Sequence, residues 1–286
     1  MISFRYHLVS VAAVFVALSL GLVLGSGYLA QSVSTAGGGG QDGDEGLTSF
    51  EDGFAARTVP GLVDGTLEDR TVVVLTMPSA RAEEVDPLVE TLEAAGATVT
   101  GRGALSSTLV DPANRQFAES VAEESATDVE SVTAAGDAYT RVGAALARSV
   151  VGEGARDDQA RTISSAFVEG ELLSWESEPS DAADLVVVVA GPGRSGDAAS
   201  ALGPMLTAID SASTATLLAG PSRSSLDGGL VAAIRDSDVA GEISTVDVLD
   251  TAAGRGVATL ALARAAADDN GDWGTDRSAD GAVPQS

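Results

Sequence analysis

The pattern closest to a recognised chemical site is Gly191-x-Gly193-x-x-Gly196, in "AGPGRSGDA", between an apolar run and a helical pattern. Glycines at that spacing let a backbone approach a pyrophosphate at a helix N-terminus, the dinucleotide fingerprint. The acid that should hold a ribose about 20 residues further on is missing, and the chain there reads "LLAGPSR". A plain strand-end turn or a loop that captures an anion or other ligand are the readings left beside the dinucleotide one. Asp247, Asp250 and Thr251 form a second cluster, between a strand pattern and a helix pattern. A carboxylate there would serve as an N-cap. The sharper alternative is a carboxylate pair for general acid–base work, but no second pair stands at a recognisable spacing.

Other chemistries are limited by composition. The chain has no cysteine, and its one histidine is His7. Thiolate nucleophiles, CxxC pairs and cysteine zinc sites are thereby excluded. A Ser-His-Asp triad cannot be built away from the N-terminus. Sulfur comes only from Met1, Met77 and Met205, the last two on apolar patterns that read as core. "DDNGD", Asp268–Asp272, lacks the sixth-position glycine and the distal glutamate of a calcium loop and reads as a solvated tail. These limits lead to the expectation of no catalytic residues, no metal site and no cofactor. Forty-two acids against sixteen arginines give a formal charge of −26, which repels phosphate backbones and makes nucleic acid a poor partner.

These residues must be positioned by a scaffold of alternating strands and helices. "TVVVLTM" (Thr71–Met77), "ATVTG", "DLVVVVAG", "TATLLAG" and "EISTVDVLD" read as strands. Helical patterns separate them: 82–95 with Val85, Leu88, Val89 and Leu92 on one face, then around 198–210, 226–235 and 254–267. The stretch 111–176 reads as mostly helical, with Val142, Ala145, Leu146 and Val150 periodic. This alternation predicts an α/β fold with a mostly parallel, Rossmann-like sheet covered by helices.

The N-terminus suggests where such a domain sits. Leu8–Gly27 is uncharged and mostly apolar, and its helical length of about 30 Å matches a bilayer core. It exceeds a secretory h-region of about 7–15 residues, so retention as an anchor in the lipid bilayer is expected. Arg5 precedes it and Asp42, Asp44 and Glu45 follow, which orients the bulk of the chain away from the cytoplasm. Ala13, Ala17, Gly21 and Gly25 form a stripe of small residues that suits helix self-association. The expected organisation is a stub and anchor over 1–30, a Gly-rich tether over 31–46, an extracytoplasmic α/β domain over 47–267 and a disordered acidic tail over 268–286.

The opening "MISFRYHLVSVAAVFVALSLGLVLGSG" resembles the N-terminus of the actinobacterial MctB copper-transporter family. "TLEDRTVVVLTMP", "LEAAGATVTG", "DLVVVVAGP" and "ISTVDVLDTAAGRGVATLALA" resemble its successive strands and closing helix, with Asp247, Asp250, Thr251, Gly254 and Arg255 as the motif positions. The resemblance implies a single-pass envelope protein with an outer α/β domain and a role in copper transport or homeostasis. SteB-like relatives imply an alternative, an envelope protein partner that helps control peptidoglycan hydrolases. Copper enters by this resemblance alone. Family members typically follow the anchor with a charged coiled coil, and here "QSVSTAGGGGQDGDEG" stands in that place.

Overall fold

The computed structural model describes residues 40–284. The expected span Leu8–Gly27 and the stripe Ala13, Ala17, Gly21 and Gly25 lie outside the described residues. Among the described residues, no helix is long and apolar enough to cross a membrane. Two compact units divide the chain, Met1–Gly53 and Phe54–Ser286. The boundary falls within helix α1 (Gly40–Val63), so the helix begins inside the segment expected to be a tether. Its last turns are explained by burial of Ala55, Val59 and Val63, which outweighs the weak propensity of a Gly-rich sequence.

The second unit opens with β1 (Thr71–Thr76), α2 (Ala82–Ala94), β2 (Thr98–Leu105), α3 (Ser107–Val110), α4 (Arg115–Ser125), α5 (Glu130–Thr133), α6 (Ala138–Val150) and α7 (Asp158–Glu169). It continues through β3 (Leu173–Ser177), β4 (Leu185–Val189), α8 (Ala198–Asp210), β5 (Ala215–Ala219), α9 (Leu230–Arg235), β6 (Ser244–Val246), α10 (Ala252–Ala265) and β7 (Asp272–Trp273). The seven strands form one sheet in the order β3-β2-β1-β4-β5-β6-β7. Every pairing is parallel except β2 with β3. This is the mostly parallel α/β fold expected.

Strand composition explains the layers. Parallel strands covered on both faces are apolar at every position rather than at alternate ones, and all five residues of β4 and of β5 are buried. Val73, Leu75, Val186, Val188 and Leu218 face one core with α6, α7 and α8, around Leu146, Phe167, Leu202 and Met205. Val72, Val74, Leu185, Val187 and Val189 face the other, with α1, α2 and α10 around Val59, Leu88 and Leu262. Adjacent strand residues point to opposite faces, so each Val-rich run serves both cores. Tight crossings need small residues. A Cβ on Gly143 of α6 would lie 2.6 Å from the Met205 backbone of α8.

Two expectations need correction. The stretch 111–176 is not helical to its end, because Leu173–Ser177 forms an antiparallel edge strand on β2. Trp175 of that strand packs over Gly103, where a Cβ would come within 2.7 Å of its ring. The tail expected to be disordered is ordered through residue 284: β7 pairs with β6, and Asp280 accepts a hydrogen bond from the Asp272 amide. Several of its polar groups are bonded within the protein: the Trp273 carbonyl accepts from Arg235 and the Thr275 amide donates to Asp247.

Candidate functional site

From β1 the chain passes outward to β2; the later parallel strands β4, β5 and β6 progress the other way. The helices after β1 and β4, α2 and α8, therefore cover opposite faces of the sheet, and the crevice outside the carboxyl ends of these strands is where open α/β sheets bind ligands. A crevice of about 520 Å³ opens there, lined by residues that follow β1, β4, β5 and β6. Arg81, Glu83 and Glu84 come from the start of α2, Pro192 from the loop after β4, Pro221 and Arg223 from the loop after β5, and Asp250 from the loop after β6.

Glu84 is the least ordinary of these. It is only 4% exposed, and its Oε2 is buried without a hydrogen-bond partner. It occupies the third position of α2, where a glutamate reaches back towards the N-cap amide as half of a capping box. The Arg81 backbone lies on that side and favours the charged form of Glu84. Burial pushes the Glu84 carboxyl above the usual glutamate value, and the charges of Asp250 and Glu83 push it the same way; the Arg81 backbone and guanidinium pull it down.

The raised value has a signed consequence. The native state keeps a proton that the unfolded chain releases as pH rises past the ordinary glutamate value, so this contribution to stability is present at low pH. It is lost as pH climbs from the unfolded value through the folded one. Asp210 and Asp272 are raised by burial in the same sense. Glu84→Gln is expected to flatten the fall in stability with pH, followed by denaturant midpoints across the acid-to-neutral range. An unchanged slope would show that Glu84 ionises as readily in the folded protein as in the unfolded chain.

The other walls are held by hydrogen bonds. Asp250 accepts from the Ser222 amide at 2.9 Å and the Ser222 hydroxyl at 2.8 Å, which ties the β6 loop to the β5 loop. Arg81 forms an ion pair with Glu83 at 3.2 Å on the surface. Arg223 is exposed and makes no ion pair among the described residues.

The glycines of the fingerprint do not share one task. A Cβ on Gly191 would lie 2.2 Å from the Ser79 backbone, so this glycine lets the loops after β1 and β4 touch at the switch point. A Cβ on Gly193 would be 3.9 Å or more from its neighbours, and Gly196 turns at φ +51°. The loop is pinned to the next one by the Ser195 amide, which donates to the Gly228 carbonyl at 2.8 Å. It spans Ala190–Asp197 before α8 starts, whereas a dinucleotide turn opens directly into its helix. Of this loop, only Pro192 lines the crevice.

The motif around α10 also divides. Neither aspartate caps the helix, contrary to expectation: Thr251 does, its hydroxyl accepting the Gly254 amide at 2.9 Å, because the chain turns helical only after it. A Cβ on Gly254 would stand 1.6 Å from the Val248 carbonyl oxygen. Arg255 reaches the Leu249 carbonyl at 3.5 Å and lines a smaller cleft of about 150 Å³ between α1, α2 and α10. Asp247 is fully buried and pairs with Arg235 at 2.7 Å. Asp247 and Asp250 are thus committed to different partners.

Met77 and Met205 are both buried in one core. Among the described residues, no group of three or more histidine, cysteine, aspartate or glutamate residues could hold a metal ion. Sequence reasoning passed over Arg81, Glu84 and Arg223. The signal was present in a glutamate three residues after the strand-end loop "PSAR", at a capping-box spacing without a capping side chain in front of it.

The family described as copper transport outer membrane protein, MctB, matches residues 1–284. The chain belongs to the MctB family. It is 29% identical over 291 residues to proteins named Copper transporter MctB from Mycobacterium tuberculosis and Mycobacterium bovis, with 92% of each chain covered. The Mycobacterium leprae protein of that name is 29% identical over 303 residues, again with 92% of each covered. The match includes the Gly191–Gly196 loop, the crevice and the α10 motif, so the fold described for this MctB-family chain carries all of them on one scaffold.

Proposed function

We propose that this MctB-family chain is a membrane-anchored envelope protein, its α/β domain outside the cytoplasm, that serves copper homeostasis as a non-catalytic binding module. The relatives named copper transporters support the copper connection, and the uncharged length of Leu8–Gly27 supports the anchor. The observation that carries the reading is the crevice at the switch point. Its ligating groups are arginine and carboxylate, whereas Cu(I) is held by thiolate, thioether or imidazole. Both thioethers of the domain are spent in the core. A single anchor helix cannot enclose a pore, so transport would require another protein or further copies, and the domain would act through what its crevice binds.

The test is a Cu(I) titration of the full-length protein in detergent against a competing chelator, beside a Met77→Leu/Met205→Leu variant. Such swaps cost less than about 1.5 kcal/mol each, so the variant stays folded. Equal, weak binding by both proteins is expected, together with altered copper content in cells lacking the protein. Stoichiometric submicromolar binding lost in the variant would place a copper site in the domain, and unchanged copper content would remove the copper role.

A further inference from the structure

Building on the reading of the switch-point crevice as a binding site, we propose that it takes a small zwitterion of the amino-acid or short-peptide class, with a carboxylate held by Arg223 and Arg81 and an ammonium by Glu84 and Asp250. The volume, about 520 Å³, lies within the roughly 300–1,000 Å³ of small-molecule sites and admits a ligand of a few residues. The position follows the rule for open α/β sheets.

The polar groups select the chemistry. Glu84 Oε2 is a buried acceptor with no donor. Such an atom costs free energy until something donates to it, and an ammonium supplies up to three donors. Asp250, whose charge acts on Glu84, already accepts from Ser222. Each carboxylate oxygen offers about two acceptor sites, so Asp250 keeps capacity for a further donor. The guanidinium of Arg223 presents a planar fork that matches a carboxylate, and Arg81, paired with Glu83 beside Glu84, lines the same crevice. Pro192 and Pro221 add apolar lining.

Other ligand classes fit less well. Inorganic phosphate would meet Glu83, Glu84 and Asp250 as well as the arginines, so like charges oppose it. A bare divalent cation would meet two guanidinium groups. A ligand that carries both signs meets both the arginines and the carboxylates of the lining.

The experiment titrates the full-length protein in detergent micelles with alanine and trialanine, and with N-acetyl-trialanine, trialanine amide and inorganic phosphate as comparators. Saturable binding of alanine or trialanine is expected, and removing either terminal charge should weaken trialanine by about tenfold or more. Arg223→Gln should weaken the carboxylate-bearing peptides about tenfold and leave trialanine amide unchanged. Glu84→Gln should weaken the ammonium-bearing peptides and leave N-acetyl-trialanine unchanged. Thermal melts of both variants confirm that they are folded.

No saturable binding of either zwitterion up to on the order of 10 mM would overturn the proposal. So would phosphate binding as tight as trialanine's with no effect of Glu84→Gln, which would make the crevice a simple anion site. Neither result bears on the Cu(I) titration, so the proposed copper role stands or falls separately.

Discussion

Arg235→Met is expected to lower folding stability by about 3–5 kcal/mol, the range for leaving one member of a buried ion pair without the other. Arg235 and Asp247 have side chains 1% and 0% exposed, 2.7 Å apart. The guanidinium also donates to the Thr245 hydroxyl at 2.6 Å and to the Trp273 carbonyl at 3.1 Å. Asp247 further accepts the Thr275 amide at 2.8 Å. Removing the arginine leaves a buried carboxylate with only the Thr275 amide and hydroxyl and the Asp276 amide as donors and loosens the segment after β7. Urea unfolding of the two proteins measures the loss. Arg235→Met/Asp247→Leu, which removes both charges, should recover much of it, because an apolar pair of similar volume often replaces a buried ion pair at little cost. A single variant as stable as the parent would mean that the pair is solvated in the native state.

Gly254→Ala and Gly191→Ala form the second large effect, each expected to cost about 3 kcal/mol, the upper part of the range for overpacking. At both positions the new methyl meets backbone, the Val248 carbonyl at 1.6 Å and the Ser79 carbonyl at 2.2 Å, and backbone in a packed strand-end loop cannot turn aside as a side chain would. Gly193→Ala is the control: its nearest neighbour would be 3.9 Å away, and restricting the unfolded chain favours alanine by about 0.4–1 kcal/mol where the native conformation allows it. Thermal melts of the three variants test the division. A loss at Gly193 as large as at Gly191 would mean that the whole loop is packed against something at close range.

The interior of the fold was legible because it rests on local signals. "TVVVL", "LVVVV" and "ATLLA" are β-branched or apolar throughout, which only a doubly covered strand requires. The helix Ala198–Asp210 falls where its apolar positions recur. Edges were less legible. Leu173–Ser177 is short and half exposed, so its alternation hardly stands out beside the helix before it. The tail carries the polarity of a solvated segment, yet its polar atoms serve Arg235 and Asp247, residues 28 or more positions earlier. No local pattern encodes such a pairing. The crevice was hidden for the same reason: the glycine motif drew the eye to one loop, whereas Arg81, Glu84, Arg223 and Asp250 meet only when four strand ends are set side by side.

The closing of Arg235 and Asp247 by residues 273–278 also orders events in time. While the chain is being made, β6 can pair with β5, but the ion pair beside it lacks its Trp273, Thr275 and Ser278 partners until those residues have been added. A buried pair that is only half satisfied opposes docking of α9 and β6. The β5–β6 side of the sheet is therefore expected to close only once the segment after β7 is available, which hydrogen exchange during refolding of the full chain and of a chain ending before Trp273 would compare. An insertion or fusion placed between Val246 and Trp273 would lengthen that interval, whereas one in the exposed turn around Asp128 would leave it unchanged.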